Sequence, residues 1–187
     1  MRQIFVVMLV CSLTGCSLFR TRDPQSPDTG RHTWNTPRVP GDVLDNLRSA
    51  IFERDAVNYL RTFEQTSFTF EADAVALSHD PTLADWNYDA ESRHATRLFS
   101  EGTVPAESLL VAVFGTPDET LFGDSAAVRV HYDVTAGVAL TGVPHRLSGT
   151  ADFYMRLGRE GYWQVYRWRD SRTENQNTWS DLKSSVQ

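Results

Sequence analysis

The chain has 187 residues, with 18 Lys and Arg against 24 Asp and Glu, a formal net charge of −6 and 41% hydrophobic residues. This apolar content is typical of a folded chain, and the length suggests one domain, since domains average roughly 150 residues. The acidic balance argues against a nucleic-acid binder, which needs a basic face to displace phosphate counterions. Two cysteines cannot supply a zinc site of the Cys₄ or Cys₂His₂ kind with the usual spacing.

Residues 1–15 are predicted to be a signal peptide. Arg2 supplies its positive charge, and the apolar run at residues 4–11 is too short to span a bilayer, which takes about 20 residues. The next residues, Leu13-Thr14-Gly15-Cys16, resemble a bacterial lipobox. This resemblance implies that the Cys16 thiol is lipidated and that cleavage falls before it. The alternative is a secretory signal that is cut elsewhere.

Residues 16–39 are expected to form the lipidated cysteine and a flexible tether, because prolines and polar residues dominate and little can be buried. Trp34 is the exception, expected to dock on the domain or to lie at the lipid headgroups. Ser17 is not the Asp that resembles an inner-membrane retention signal. We therefore expect a protein of the bacterial cell envelope, anchored through its lipid to the periplasmic face of the outer membrane.

Residues 40–187 are predicted to form the domain. Apolar residues recur every three or four positions from Val43, which predicts one helix to about Arg54 and a second to about Phe63. A short strand is predicted at residues 67–70 and a loop at residues 78–87. A third helix follows at residues 89–99, with Asn87 as its N-cap.

After residue 104, apolar and polar residues alternate, which predicts strands at residues 109–114, 125–135, 147–157 and 162–169. Turns are predicted between them at residues 115–118, 142–144 and 158–161. Helices followed by strands predict an α+β domain, with the N-terminal helices packed on a curved antiparallel sheet of four to five strands. If residues 158–161 form a tight hairpin, Phe153 lies opposite Tyr166 on the buried face. The same register pairs Asp152 with Arg167 and Arg156 with Trp163 on the other face.

The element order, together with residues 161–170 (Gly-Tyr-Trp-Gln-Val-Tyr-Arg-Trp-Arg-Asp), resembles the nuclear transport factor 2-like superfamily, also called SnoaL-like. The resemblance covers residues 40–179 and implies a cone-shaped α+β fold. Its members include isomerases, cyclases and dehydratases as well as non-catalytic binding and dimerisation modules, so the fold does not decide the function.

The family's cone implies a pocket between the helices and the concave sheet face. The candidate lining residues are Phe68, Phe70, Trp86, Tyr88, His94, Tyr132, Gln164, Tyr166 and Trp168. The alternative is that these aromatic side chains fill the cone as core. A pocket walled by aromatic rings would hold a small apolar ligand on a floor of Tyr132, Tyr166 and Trp168.

No set of residues predicts catalysis or metal binding. His131 and Asp133 share a strand face and could form an acid/base pair, but their face is the polar one, which favours a surface pair. His94 is the other candidate base, with a capping or surface histidine as the alternative. No cofactor is expected, and the spacing of the histidines and carboxylates matches no metal motif.

Two functions are therefore carried forward. The first is a lipid-anchored, non-catalytic module that binds a small apolar ligand or a protein partner. The second is an isomerase-, cyclase- or dehydratase-type enzyme that uses a Tyr with an Asp or His in the cone. A homodimer formed sheet to sheet through Tyr154, Trp163 and Val165 is a further possibility.

Overall fold

The computed structural model describes residues 33–103, 105, 108–136 and 143–187. Cys16, the predicted signal peptide and most of the predicted tether therefore lie outside the described residues. The helices are α1 (Pro40–Glu53), α2 (Ala56–Arg61), α3 (Ala74–His79), α4 (Tyr88–Leu98) and α5 (Trp179–Ser185), with a 3-10 helix at Pro81–Asp85. The strands are β1 (Thr69–Glu71), β2 (Leu110–Phe114), β3 (Asp118–Phe122), β4 (Ser125–Ala136), β5 (Arg146–Leu157) and β6 (Trp163–Arg172).

The domain is α+β, as predicted, with its helices on one face of a six-stranded sheet. The strand order is β1-β6-β5-β4-β2, and β3 also pairs with β4, beyond the part that β2 occupies. All pairs are antiparallel except β1 with β6, which the all-antiparallel prediction missed. Helix α1 packs against β2 and β6, and α5 packs against β5.

Helix α1 shows how the apolar spacing builds this packing. Its buried side chains include Val43, Leu47 and Ile51, which recur one turn apart and face the sheet. The Asp42 carboxylate accepts the Val39 amide and caps the first turn. The helix ends at Arg54, which adopts a left-handed conformation with φ 56°.

The segment that precedes α1, within the predicted tether, is hydrogen-bonded to the domain. These residues run back along α1: the amide and hydroxyl of Thr33 donate to Glu53, and Asn35 exchanges hydrogen bonds with Asn46. Further along, the Trp163 amide donates to the Pro37 carbonyl. Trp34 docks on the domain, where the Arg61 guanidinium lies 4.0 Å from its ring centre.

The two sheet faces are assigned correctly along β4 and β5. Phe153 is buried beneath the helices, whereas His131 lies on the opposite, polar face with its side chain half exposed. The described core also includes Val128, Val130 and Met155, which alternate along the same two strands.

The register predicted for the last hairpin is wrong. Residues 158–162 form a five-residue loop that places Leu157 opposite Trp163, and a bulge between Tyr154 and Met155 shifts the pairing by one more residue. Phe153 consequently lies opposite Trp168 rather than Tyr166. A one-residue slip exchanges the faces, so Tyr166 and Gln164 point to the polar side.

The slip also changes the predicted contacts. Asp152 pairs with Arg129 rather than Arg167, and the Arg156 guanidinium stacks on Tyr166 rather than Trp163. Trp163 and Val165 are buried within the chain. Of the three residues predicted for a sheet-to-sheet dimer, only Tyr154 therefore lies on the polar face.

Four elements were not predicted: β3, α3, the 3-10 helix and α5. Strand β3 begins inside the predicted turn at residues 115–118, and the predicted loop at residues 78–87 contains the end of α3 and a 3-10 helix. Helix α5 was missed entirely. It is the element that closes the cone.

Candidate functional site

The interior of the cone is packed around Trp168, a β6 residue that is only 2% exposed. Its ring centre lies 5.2 Å from that of Phe70, 5.1 Å from that of Phe153 and 5.2 Å from that of Trp179. Trp179 belongs to α5 and also meets the Tyr132 ring edge-to-face at 6.0 Å. The indole of Trp179 therefore occupies the part of the interior that was predicted to be a ligand pocket.

Lys183, one turn further along α5, lies in the same space. Its side chain is fully buried, with Nζ 4.5 Å from the ring centre of Phe70, 5.0 Å from that of Trp86 and 4.9 Å from that of Trp168. A cation surrounded by three aromatic faces is stabilised by their quadrupoles. Three residues of the predicted pocket thus bind a side chain of their own domain.

Glu91 on α4 is the counter-ion of Lys183 and the centre of the buried network. Both of its carboxylate oxygens accept from Lys183 Nζ. Tyr59 Oη donates to Oε1 and Trp86 Nε1 donates to Oε2, each at 2.6 Å. Burial alone would raise the pKa of Glu91, but the charge of Lys183, the neighbouring His94 and the hydrogen bonds from Lys183 and Tyr59 together outweigh it and lower that pKa. Glu91 is therefore ionised, and Lys183 carries the proton.

His94 lies one turn along α4 from Glu91 and is fully buried, contrary to the expected capping or surface position. Its Nδ1 is 2.7 Å from the carbonyl oxygen of Val186, near the end of the described chain. Burial and the Lys183 charge lower the pKa of His94 to about 4. The ring is neutral at pH 7 and donates from Nδ1, which ties α4 to the segment that follows α5.

A second buried network holds the start of α5 against the sheet. Tyr132 Oη donates to Asp170 Oδ1 at 2.6 Å and accepts the Trp179 amide at 2.8 Å. Asp170 Oδ2 accepts both the amide and the hydroxyl of Ser180. Burial raises the pKa of Asp170 and that of Tyr132. Tyr132, which was predicted to form part of the floor of a ligand pocket, is hydrogen-bonded to α5 instead.

A third network lies at the rim of the cone. The Arg172 guanidinium bridges Asp73 and Asp181, which lie in different parts of the fold. The Thr178 hydroxyl donates to Asp73 Oδ2, and the Asp181 carboxylate accepts the Thr178 amide in a capping box. Asp181 also places a negative charge in the first turn of α5. The three networks together fix α5 from its N-cap to its last turn.

The other predicted pocket residues lie away from this interior. Phe68 is buried against Phe63, with 4.5 Å between ring centres. Tyr166 lies on the polar sheet face against Tyr154. Tyr88 and Gln164 help to line an open groove of about 450 Å³ at the surface. The groove is lined by Trp34, Pro37, Leu60, Arg61, Phe63, Glu64, Gln65, Thr66, Tyr88, Glu160, Tyr162 and Gln164.

The candidate acid/base pair, His131 and Asp133, lies on the polar face of the sheet. His131 Nε2 is 3.5 Å from Asp133 and 3.4 Å from the Ser148 hydroxyl. A catalytic relay needs the carboxylate and the hydroxyl on different ring nitrogens. Here both contact the same nitrogen, so the cluster cannot pass a proton from one to the other.

Sequence reasoning missed the residues that matter most inside the cone, Glu91, Asp170 and Lys183. A signal for α5 is present in the sequence: Thr178 and Asp181 have capping-box spacing, and Trp179, Leu182 and Val186 recur at intervals of three and four. Recognising it would have placed Lys183 on a buried helix.

No family model and no curated protein matches the sequence. Solved structures do match. One is an NTF2-like protein of unknown function from Pseudomonas putida KT2440, with 16% identity, a TM-score of 0.53 and coverage of 74% of this chain and 89% of that one. Another is a candidate dehydratase of the NTF2-like family from Streptomyces avermitilis, with 11% identity, a TM-score of 0.52 and coverage of 71% and 92%. ActVI-ORFA from Streptomyces coelicolor matches with 13% identity, a TM-score of 0.50 and coverage of 68% and 90%.

The domain has the NTF2-like fold. At these identities the likeness establishes the fold and no activity. In this NTF2-like domain, the cone interior is occupied by Trp179 and Lys183, and Glu91 and Asp170 bond to groups of the chain itself. Within the described residues, no cluster of His, Cys, Asp and Glu could hold a metal ion. No helix in that part of the chain has the length and apolarity needed to cross a bilayer.

Proposed function

We propose that this protein is a lipid-anchored component of the bacterial cell envelope whose NTF2-like domain is a non-catalytic module that binds a protein partner through its outer surface. The observation that carries the proposal is the burial of Lys183 and Trp179 inside the cone. A ligand pocket in this fold needs that volume. With the volume filled, binding is left to the outer surface, and a small apolar ligand is no longer favoured.

The anchoring part of the proposal rests on the lipobox-like sequence that ends at Cys16. The described residues begin at Thr33, so 16 residues lie between the two. Extended, they would span at most about 60 Å. Placement on the periplasmic face of the outer membrane follows from Ser17, which is not a retention signal for the inner membrane.

A ligand-binding experiment tests the closed cone. The full chain is titrated with a fluorescent naphthylamine probe and with palmitate, while tryptophan emission and the melting temperature are followed. We expect no saturable quenching and no rise in melting temperature, since a bound ligand would stabilise the domain in proportion to ln(1 + [L]/Kd). Saturable binding that is lost in Trp168→Ala would show that the interior accepts a ligand and would overturn the proposal.

An isomerase-, cyclase- or dehydratase-type enzyme is the second candidate, and one observation favours it. Glu91, Tyr59 and His94 converge inside the cone, where removal of α5 would uncover a carboxylate, a phenol and an imidazole. This function requires α5 to open like a lid. Hydrogen exchange distinguishes the two: amides of α5 that exchange much faster than those of β5 would favour the enzyme, whereas equal protection would favour the closed module.

A further inference from the structure

Strand β3 is an open edge of the sheet. It pairs only with β4 among the described residues, and all five of its residues are exposed. Leu121 is 58% exposed and Phe122 is 64% exposed, which places both among the most exposed large apolar side chains of the domain. An unprotected edge of this kind presents free backbone groups to another strand.

The turn at the end of β3 sets which backbone groups are free. Phe122 and Ser125 flank the two-residue turn formed by Gly123 and Asp124, and Gly123 has φ 60°, which suits a tight hairpin. The flanking pair exchanges hydrogen bonds, and so does every second pair along the ladder. The amide and carbonyl groups of Glu119 and Leu121 therefore point away from β4, toward the open edge.

The polar face of the sheet carries a row of alternating charges that ends at this edge. Cross-strand pairing aligns one residue from each of five strands: Glu71, Arg169, Asp152, Arg129 and Asp118. Arg169 contacts Glu71 at 2.8 Å, and Arg129 contacts Asp152 at 2.6 Å. Asp118 is the last member, so the next position in the row would be filled best by a basic residue on an added strand.

We propose that β3 binds an extended segment of a partner protein as an additional antiparallel strand. The backbone bonds of Glu119 and Leu121 would provide affinity, and the side chains would select the sequence. A Lys or Arg belongs opposite Asp118 and another opposite Glu119, with apolar residues opposite Leu121 and Phe122. The partner segment therefore reads, from its N-terminus, apolar, apolar, any residue, basic, basic. This inference rests on the proposed binding of a protein by the outer surface.

A second copy of this chain does not fit the same edge. Strand β3 contains no Lys or Arg, so β3 of another copy cannot extend the charge row. Antiparallel self-pairing centred on Thr120 would place Asp118 opposite Phe122 and Glu119 opposite Leu121. In that arrangement the acidic residues face apolar residues, so neither opposite-charge pairs nor apolar pairs form across the new strand pair. A different protein is therefore favoured as the partner.

The test uses a fluorescein-labelled peptide, Gly-Val-Ile-Thr-Lys-Lys-Gly, titrated with the full chain and followed by fluorescence anisotropy at low salt. Saturable binding is expected. The variant Asp118→Lys should weaken it at least tenfold and should bind the matching peptide with Glu-Glu in place of Lys-Lys more tightly than the wild type does. Leu121→Pro should abolish binding of both peptides, because it removes an edge N–H that β4 does not use.

The matched control is Val57→Thr, which alters an apolar side chain that is 70% exposed on α2, away from β3. It should bind as the wild type does. Absence of saturable binding, or equal binding by wild type and Asp118→Lys, would overturn the inference. So would a dimer that Leu121→Pro converts to monomer, since a second copy would then be the occupant. The probe titration of the cone is independent of these results, so failure here is distinguishable from failure of the proposed function.

Discussion

Removal of the buried charge of Lys183 is the perturbation that tests the closed cone most directly. In Lys183→Met, Glu91 keeps its bonds from Tyr59 and Trp86 but loses its counter-ion inside the core. Breaking a buried ion pair on one side costs about 3–5 kcal/mol, because the remaining charge is left without compensation. A domain of this size is stable by about 5–15 kcal/mol, so the loss is a large fraction of the total.

The double variant Glu91→Gln with Lys183→Met distinguishes the loss of the ion pair from the loss of side-chain contacts. Gln can accept from Trp86 Nε1 through its oxygen and donate to the Tyr59 hydroxyl through its amide nitrogen, and Met fills much of the volume among the aromatic rings. We expect the double variant to lose only about 1–2 kcal/mol, because neither charge remains buried. The two changes should therefore couple by at least about 2 kcal/mol.

Urea unfolding followed by tryptophan emission measures these free energies, since Trp86, Trp168 and Trp179 surround the altered site. The control is Arg48→Ala, which breaks an exposed pair with Asp45 at 2.7 Å and should cost less than about 1 kcal/mol. Additivity of the two single variants within about 0.5 kcal/mol would refute the reasoning. It would mean that Lys183 does not neutralise Glu91 in the folded domain.

Three further outcomes are expected. The pKa of His94 is lowered from 6.5 to about 4 in the folded domain, so the unfolded chain binds this proton first as the pH falls. About 3 kcal/mol of stability should therefore be lost between pH 6.5 and pH 4. Urea unfolding at several pH values should show that the free energy of unfolding depends less on pH in His94→Gln. Phe153→Ala should cost about 3–5 kcal/mol and His131→Ala less than about 0.5 kcal/mol in the same assay, since only Phe153 is in the core. Cys16→Ala should move the protein from the membrane fraction to the soluble fraction or leave it unprocessed; membrane retention after signal cleavage and a high-salt wash would contradict the lipid anchor.

The strands could be predicted because their signal is local. Alternation of apolar and polar residues from Ser125 to Ala136 and from Arg146 to Leu157 follows directly from burial of one sheet face. The same rule places Phe153 and His131 on opposite faces. Fold class therefore follows from the pattern of elements, and the structure confirms it.

The register of the last hairpin could not be obtained in the same way. Residues 158–161 look like a tight turn, but the Gly158 amide donates to the Tyr162 carbonyl, and this closes a longer loop. The bulge beside Met155 has no marker in the sequence. Each irregularity moves the pairing by one residue, and one residue is enough to put Tyr166 on the wrong face.

The interior networks depend on contacts between distant parts of the chain. Glu91 and Lys183 are 92 positions apart, and Asp73 and Thr178 are 105 apart. Neither partner of such a pair predicts the other, because a lone Glu on a helix is ordinarily solvated. The sequence predicted that Phe70, Trp86 and Trp168 line the interior. Only the position of α5 shows that Trp179 and Lys183 lie among them.

The placement of α5 also affects how the chain folds. Its contacts join α5 to residues about 100 positions earlier in the chain, so they close large loops and form slowly. Before Lys183 is available, a compact intermediate would bury Glu91 as an uncompensated charge, and such a state is disfavoured. A core that is completed only when α5 joins it cannot form before α5 has been made, so the folding of every element that packs around Glu91 waits for this helix.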